Sequence, residues 1–204
     1  MENISRREGI LSISNMVKMA IFAAMAGVLM LFKFPIPIAP TFMTVDFGDV
    51  ATLMSGFVLG PVSGVITVFL KIMLNLILNG TTTAYVGEVS NFIVGSIFVF
   101  ISSYIYNKYK TKKSALIGLT FGIIAMTMVA TLSNYFVIFP LYAKALGMGS
   151  VDAFVNTMPN AGYINTYLDL ILFAVVPFNL VKGTLNALVT FLTYKRVSKV
   201  MKGF

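Results

Sequence analysis

Residues 34–64, FPIPIAPTFMTVDFGDVATLMSGFVLGPVSG, set three prolines, Pro35, Pro37 and Pro40, between two long apolar runs. Each proline ring fixes φ and removes a backbone donor, so the stretch cannot be helix and reads as a stiff, extended lid. Two acids follow, Asp46 and Asp49, and then an apolar run that Gly60-Pro61 stops. The surroundings are lipid. At 58% hydrophobic and 11% charged, the chain has too few charges to cover a soluble globule and enough apolar length for several bilayer crossings.

Apolar length and helix breakers divide the chain into six spans, at residues 14–34, 49–60, 62–78, 85–106, 114–139 and 167–194. The second is too short to cross a bilayer of about 30 Å at 1.5 Å per residue, so it is expected to pack against protein or to sit where the bilayer is thin. The 15 Lys and Arg, against 7 Asp and Glu, are not spread as a nucleic-acid patch. They gather at Arg6, Arg7 and Lys18, at Lys108, Lys110, Lys112 and Lys113, and at Lys195, Arg196, Lys199 and Lys202. Six crossings from a cytoplasmic N-terminus bring the last two clusters to the inner face, as the positive-inside rule requires. The expected fold is therefore an all-α, multi-pass protein of the cell membrane, one domain over residues 1–204, with both termini cytoplasmic. The lid, the turn at 80–84 and the connection at 140–166 would lie outside with Asp46, Asp49 and Asp152, capping a ligand pocket; residues 151–156 would form a short surface helix. Cleavage of the first span as a signal peptide would fall inside its apolar core, so that span is expected to be retained.

Absent residues exclude chemistries. Without Cys or His the chain lacks thiols, the commonest general base and the commonest metal ligand. It has no phosphate-binding loop and no H-E-x-x-H. An enzyme is not expected, nor a metal or cofactor, and energy for any active work would come from another subunit. No clear inverted repeat of the kind found in many secondary transporters is visible.

Polar side chains inside spans are costly unless they face protein or water. Asn179, Lys182 and Asn186 share one helix face, and Lys182 lies 13 residues before Lys195, about 20 Å deep at 1.5 Å per residue. It needs an acceptor from a carboxylate, a carbonyl or a ligand. Lys71, Asn75 and Asn79 repeat every fourth residue on the third span, and Glu88 and Asn91 follow on the fourth. A tight hairpin would pair Lys71 with Glu88, whose plainer reading is to hold helices together. Asn134 stands in the fifth span, as interhelical glue or as a ligand contact, and Asp169 reads as interfacial. On the first span Ala20 and Ala24 share one face and Ala23 and Gly27 the next, small residues that let another helix approach.

Taken together, Ala20-x-x-x-Ala24, the loop F-P-I-P…D-F-G-D, the break G-P-V-S-G and P-F-N-L-V-K at residues 177–182 resemble the riboflavin-specific substrate-binding (S) component of energy-coupling factor vitamin transporters, over nearly the whole chain. The resemblance implies a membrane protein that binds its vitamin from outside and associates with a transmembrane coupling protein and two cytoplasmic ATPases. It implies docking of the coupling protein on Ala20 and Ala24, with Ala23 and Gly27 beside them. Riboflavin would be transported cargo rather than cofactor. Its ring carries an imide N–H between two carbonyls, which Asn134, Asn179 and Lys182 can match, with Phe42, Met43 and Thr44 beside the ribityl chain and Asn75, Glu88 and Asn91 as further substrate contacts. One lysine and no arginine favour free riboflavin over its phosphate. Two other readings stay open: an S component for another vitamin, and a self-sufficient secondary transporter or channel with Lys71, Glu88 and Lys182 as an ion path.

Overall fold

The computed structural model describes residues 10, 12–40, 43–81, 83–157 and 164–202. Phe42 lies outside them. Six helices make up the described bundle: α1 (Ile13–Leu31), α2 (Gly48–Leu59), α3 (Pro61–Asn79), α4 (Val86–Tyr109), α5 (Lys112–Ala145) and α6 (Tyr167–Met201). All but α2 are long and apolar enough to cross a membrane. Their ends are set locally. The Ser12 hydroxyl accepts from Asn15 N–H to cap α1, and Thr111 and Ser114 cap α5 reciprocally. Gly60 adopts φ 105°, a value that costs glycine little, and Pro61 then starts α3 where its missing N–H is not needed.

The proline-rich loop is not helix, as its composition requires, but neither is it extended throughout: residues 36–39 form a turn in which Ala39 N–H donates to Ile36 O at 3.2 Å. Two short strands, β1 (Phe34–Pro35) and β2 (Thr44–Val45), pair antiparallel with Phe34 opposite Val45 and close the loop at its base. The chain then turns into the bundle. Residues 48–57 of α2 are buried without interruption, because α1, α3, α4 and α6 surround the helix. This explains an apolar segment with no polar face, too short to span a bilayer. Asp46 and Asp49 go in with it, each 3% exposed, and do not lie with the outer loops as expected from topology alone. The physical reason is that each carboxylate meets a lysine inside.

The fifth span runs past its expected end at 139, through Pro140 to Ala145. It does so by widening. Residues Asn134–Ile138 form a π turn in which Phe139 N–H bonds to Asn134 O, five residues back. An equivalent π turn, Ile171–Val175, lies in α6, where Val176 N–H bonds to Ile171 O ahead of Pro177. Both prolines follow the turn by two residues, where a proline ring crowds the carbonyl four positions back and supplies no N–H. The connection after α5 contains a short helix of the 3-10 type, Val151–Thr157, where a short helix was expected.

Below the π turns the bundle core is apolar, built from Leu53, Phe57, Val68, Phe98, Leu119 and Met126 among others. Phe57, Tyr106 and Tyr194 close it toward the basic end, with Phe57 and Tyr106 stacked at 4.3 Å and Tyr194 edge-on to both.

Candidate functional site

The end of the bundle opposite the basic α4–α5 turn holds a deep cleft, whose atom-free space is about 1010 Å³ with its open mouth included. Its walls come from the base of the proline-rich loop, the first turns of α2 and α4, the π turn of α5 and the region of α6 just after its own π turn. Met30, Met126 and Phe178 supply apolar surface there.

Asp46, Asp49 and Lys182 line the floor, and the buried Lys71 joins them from behind. Lys182 Nζ lies 2.9 Å from Asp46 Oδ2 and 3.9 Å from Asp49 Oδ2, and Lys71 Nζ lies 2.6 Å from Asp49 Oδ1. Asp46 is held further by Gly48 N–H, which donates to its Oδ1 at 2.9 Å, and by Asn186 Nδ2, which donates to its backbone carbonyl at 2.9 Å. Two carboxylates and two ammoniums sum to zero, which is what makes four buried charges tolerable. Gly48 is required by this packing: a Cβ there would sit 2.9 Å from Asp46 Oδ1, 3.0 Å from Ala26 O and 3.1 Å from Lys71 Cδ.

Lys71 therefore does not pair with Glu88. The carboxylate of Glu88 instead accepts from the hydroxyls of Thr81 at 3.2 Å and Thr83 at 3.0 Å, and Asp49, at the head of α2, reaches Lys71 first. The acids of D-F-G-D were the partners that mid-span Lys182 and Lys71 demanded. Their spacing of one helical turn was the available signal, but only tertiary contact shows which lysine each meets.

Asn134 and Asn179 are 6% and 5% exposed and line the cleft above Lys182. Each donates through Nδ2 to the carbonyl four residues back, Ala130 at 2.7 Å and Val175 at 2.8 Å. These bonds fix both amide planes against their own helices while the rest of each amide faces the cleft. Met43, Thr44, Asn75, Glu88 and Asn91 also line it, so the structure brings together every expected substrate-contact residue among the described ones. Asn75 Oδ1 accepts from Asn79 Nδ2 at 2.8 Å. Tyr142 and Thr83 line the cleft as well and were not anticipated from the sequence; Tyr142 lay beyond the expected end of its span.

On α1 the two small-residue faces part company. Ala20 and Ala24 are exposed in a row with Val17, Ile21 and Val28, whereas Ala23 is 2% exposed and Gly27 is buried against Leu74. Ala23 and Gly27 thus pack inside the bundle and present no surface to a partner, contrary to their expected place in a docking face. Asp169 caps the start of α6 with Thr166, each side chain bonding the other's backbone N–H.

Known proteins resemble this chain in sequence and fold. The Riboflavin transporter RibU of Staphylococcus aureus (strain TCH60) is 31% identical over 187 residues, covering 92% of both chains. The Riboflavin transporter FmnP of Bacillus subtilis (strain 168) is 29% identical over 175 residues, 85% of this chain and 86% of the relative. A solved structure described as "Structure and mechanism of the S component of a bacterial ECF transporter" superposes with a TM-score of 0.72 at 31% identity, over 92% of this chain and 96% of that one. Residues 14–194 match the family "ECF transporter, substrate-specific component". The match over residues 14–194 and the likeness to a solved S component show that the chain belongs to the substrate-specific components of ECF transporters.

Proposed function

We propose that the chain binds free riboflavin in this cleft from the outer face of the membrane. It would hand the vitamin inward as the specificity subunit of an ATP-driven transporter, with a transmembrane coupling protein and two cytoplasmic ATPases as partners. The observation that carries the reading is the convergence of Asn134, Asn179 and Lys182 on one cleft wall, from helices 45 residues apart in sequence. Two fixed amides match an imide N–H flanked by carbonyls, and Lys182 retains N–H donors beyond the one given to Asp46. Two of the curated relatives above carry riboflavin in their names.

Electrostatics favours the vitamin over its phosphate. Lys182 on the floor and Lys71 behind it are already neutralised by Asp46 and Asp49, and Glu88 adds a negative charge to the cleft lining. Lys33 also lines the cleft, so a phosphate would meet one cation there but no arginine to clamp it in bidentate fashion. The same neutralisation weighs against a free-standing ion path through Lys71, Glu88 and Lys182. The outward orientation is supported by the basic clusters at residues 108–113 and 195–199, which lie at the end of the bundle away from the cleft. The coupling protein would dock on the exposed Ala20 and Ala24.

The test is an absorption spectrum of the protein purified in detergent from cells grown with riboflavin, followed by a quenching titration of the ligand-free form. A yellow preparation and a one-to-one titration support the reading. A colourless preparation that quenches no flavin fluorescence would leave the family standing and move the ligand to another vitamin.

A further inference from the structure

We infer that Tyr167 is a positioning residue for ligand binding: its hydroxyl holds the π turn of α5 in the shape that aims Asn134 into the cleft. The inference rests on the riboflavin reading above and deepens it.

The π turn creates a defined deficit of donors. Phe139 N–H is directed to Asn134 O, and the next donor in register for Tyr135 O at five-residue spacing would be residue 140, a proline without an N–H. A carbonyl left without a donor in a membrane protein is costly unless a side chain or water serves it. Tyr167 serves it from α6. Its hydroxyl lies 2.7 Å from Tyr135 O and 3.0 Å from Asn134 O, so one O–H is shared between the two consecutive carbonyls of the turn.

The hydroxyl is itself held in place. The Tyr167 ring stacks on Tyr135 with centroids 5.0 Å apart and planes 15° apart, and meets Phe139 edge-on at 6.0 Å. Its backbone starts α6 behind the reciprocal Thr166–Asp169 cap. A side chain at the head of one helix therefore pins the peptide unit of Asn134 on another. The Asn134 amide has its own tether to Ala130 O at 2.7 Å, but the direction of that side chain follows the backbone of the turn from which it springs. The same contact ties α5 to α6, the helices that carry the two amides, so that Asn134 and Asn179 keep a fixed separation.

The test is a double-mutant cycle on the full chain, read by riboflavin quenching titration. Tyr167→Phe keeps the ring stack and removes only the hydroxyl. It is expected to weaken riboflavin binding roughly three- to tenfold in the wild-type background, the range of one ordinary hydrogen bond. In an Asn134→Ala background the same change is expected to alter affinity by less than about twofold, because the residue through which Tyr167 acts is gone. Amide hydrogen exchange of the ligand-free chain gives a second readout: Tyr167→Phe should speed exchange at Phe139 and Leu141. Equal losses in both backgrounds, no loss in either, or unchanged exchange would overturn the inference. A wild-type chain that binds no riboflavin would overturn the ligand reading and this inference with it, an outcome distinct from the other three.

Discussion

Lys182 on α6 and Asp46 at the foot of the proline-rich loop are 136 residues apart in sequence and 2.9 Å apart in space. The pair ties the base of the proline-rich loop to the helix that supplies Asn179. Both groups are buried, so each depends on the other for its charge to be tolerated.

Asp46→Asn removes one negative charge from a neutral group of four and leaves Lys182 with only the 3.9 Å contact to Asp49. Breaking a buried pair from one side costs about 3–5 kcal/mol. The expected outcome is a lower thermal midpoint in detergent and riboflavin binding weakened more than tenfold. Glu88→Gln is the control. Glu88 is bonded by two threonine hydroxyls and no lysine, so its midpoint should stay close to wild type.

Asn179→Ala is expected to weaken riboflavin binding by about tenfold, with Lys182→Ala at least as severe, since a hydrogen bond to a charged group is worth about 1.5–3 kcal/mol. Quenching titrations measure both. Unchanged affinity in the two variants would remove the proposed site.

A bulky side chain separates the two faces of α1. Ala20→Trp or Ala24→Trp, on the exposed face, should leave riboflavin binding intact in the isolated chain and abolish uptake by the assembled transporter. Ala23→Trp should fail earlier, because its 2% exposure leaves no room and the bundle itself must open. Paired binding and uptake assays distinguish these outcomes.

Gly48→Ala probes the charge floor without altering charge. The added Cβ meets Asp46 Oδ1 and Lys71 Cδ at 2.9 and 3.1 Å, so both members must give way. Overpacking of this kind costs about 1–3 kcal/mol. A thermal midpoint equal to wild type would show that the floor is softer than its contacts imply.

What the sequence by itself determined is what depends on near neighbours. Hydropathy and breakers located the spans, because each helix satisfies its own backbone in lipid whatever surrounds it. Three prolines within six residues excluded helix from the loop, and the mid-span placement of Lys182 announced that an acceptor had to exist. Lys182, Asn179 and Asn134 were legible as candidates for the same reason, being polar where polarity is costly. Which groups meet was decided only by the tertiary structure. Sequence spacing drew Lys71 to Glu88 across a short hairpin, but packing of α2 at the centre of the bundle put Asp49 within 2.6 Å instead. It also drew Asp46 in from the loop, and continued α5 through Pro140 once a π turn and the Tyr167 hydroxyl could serve its carbonyls. The physical difference is one of range. Hydropathy and helix periodicity are properties of a few consecutive residues, whereas a buried charge takes its partner from whatever the whole bundle brings within hydrogen-bond reach.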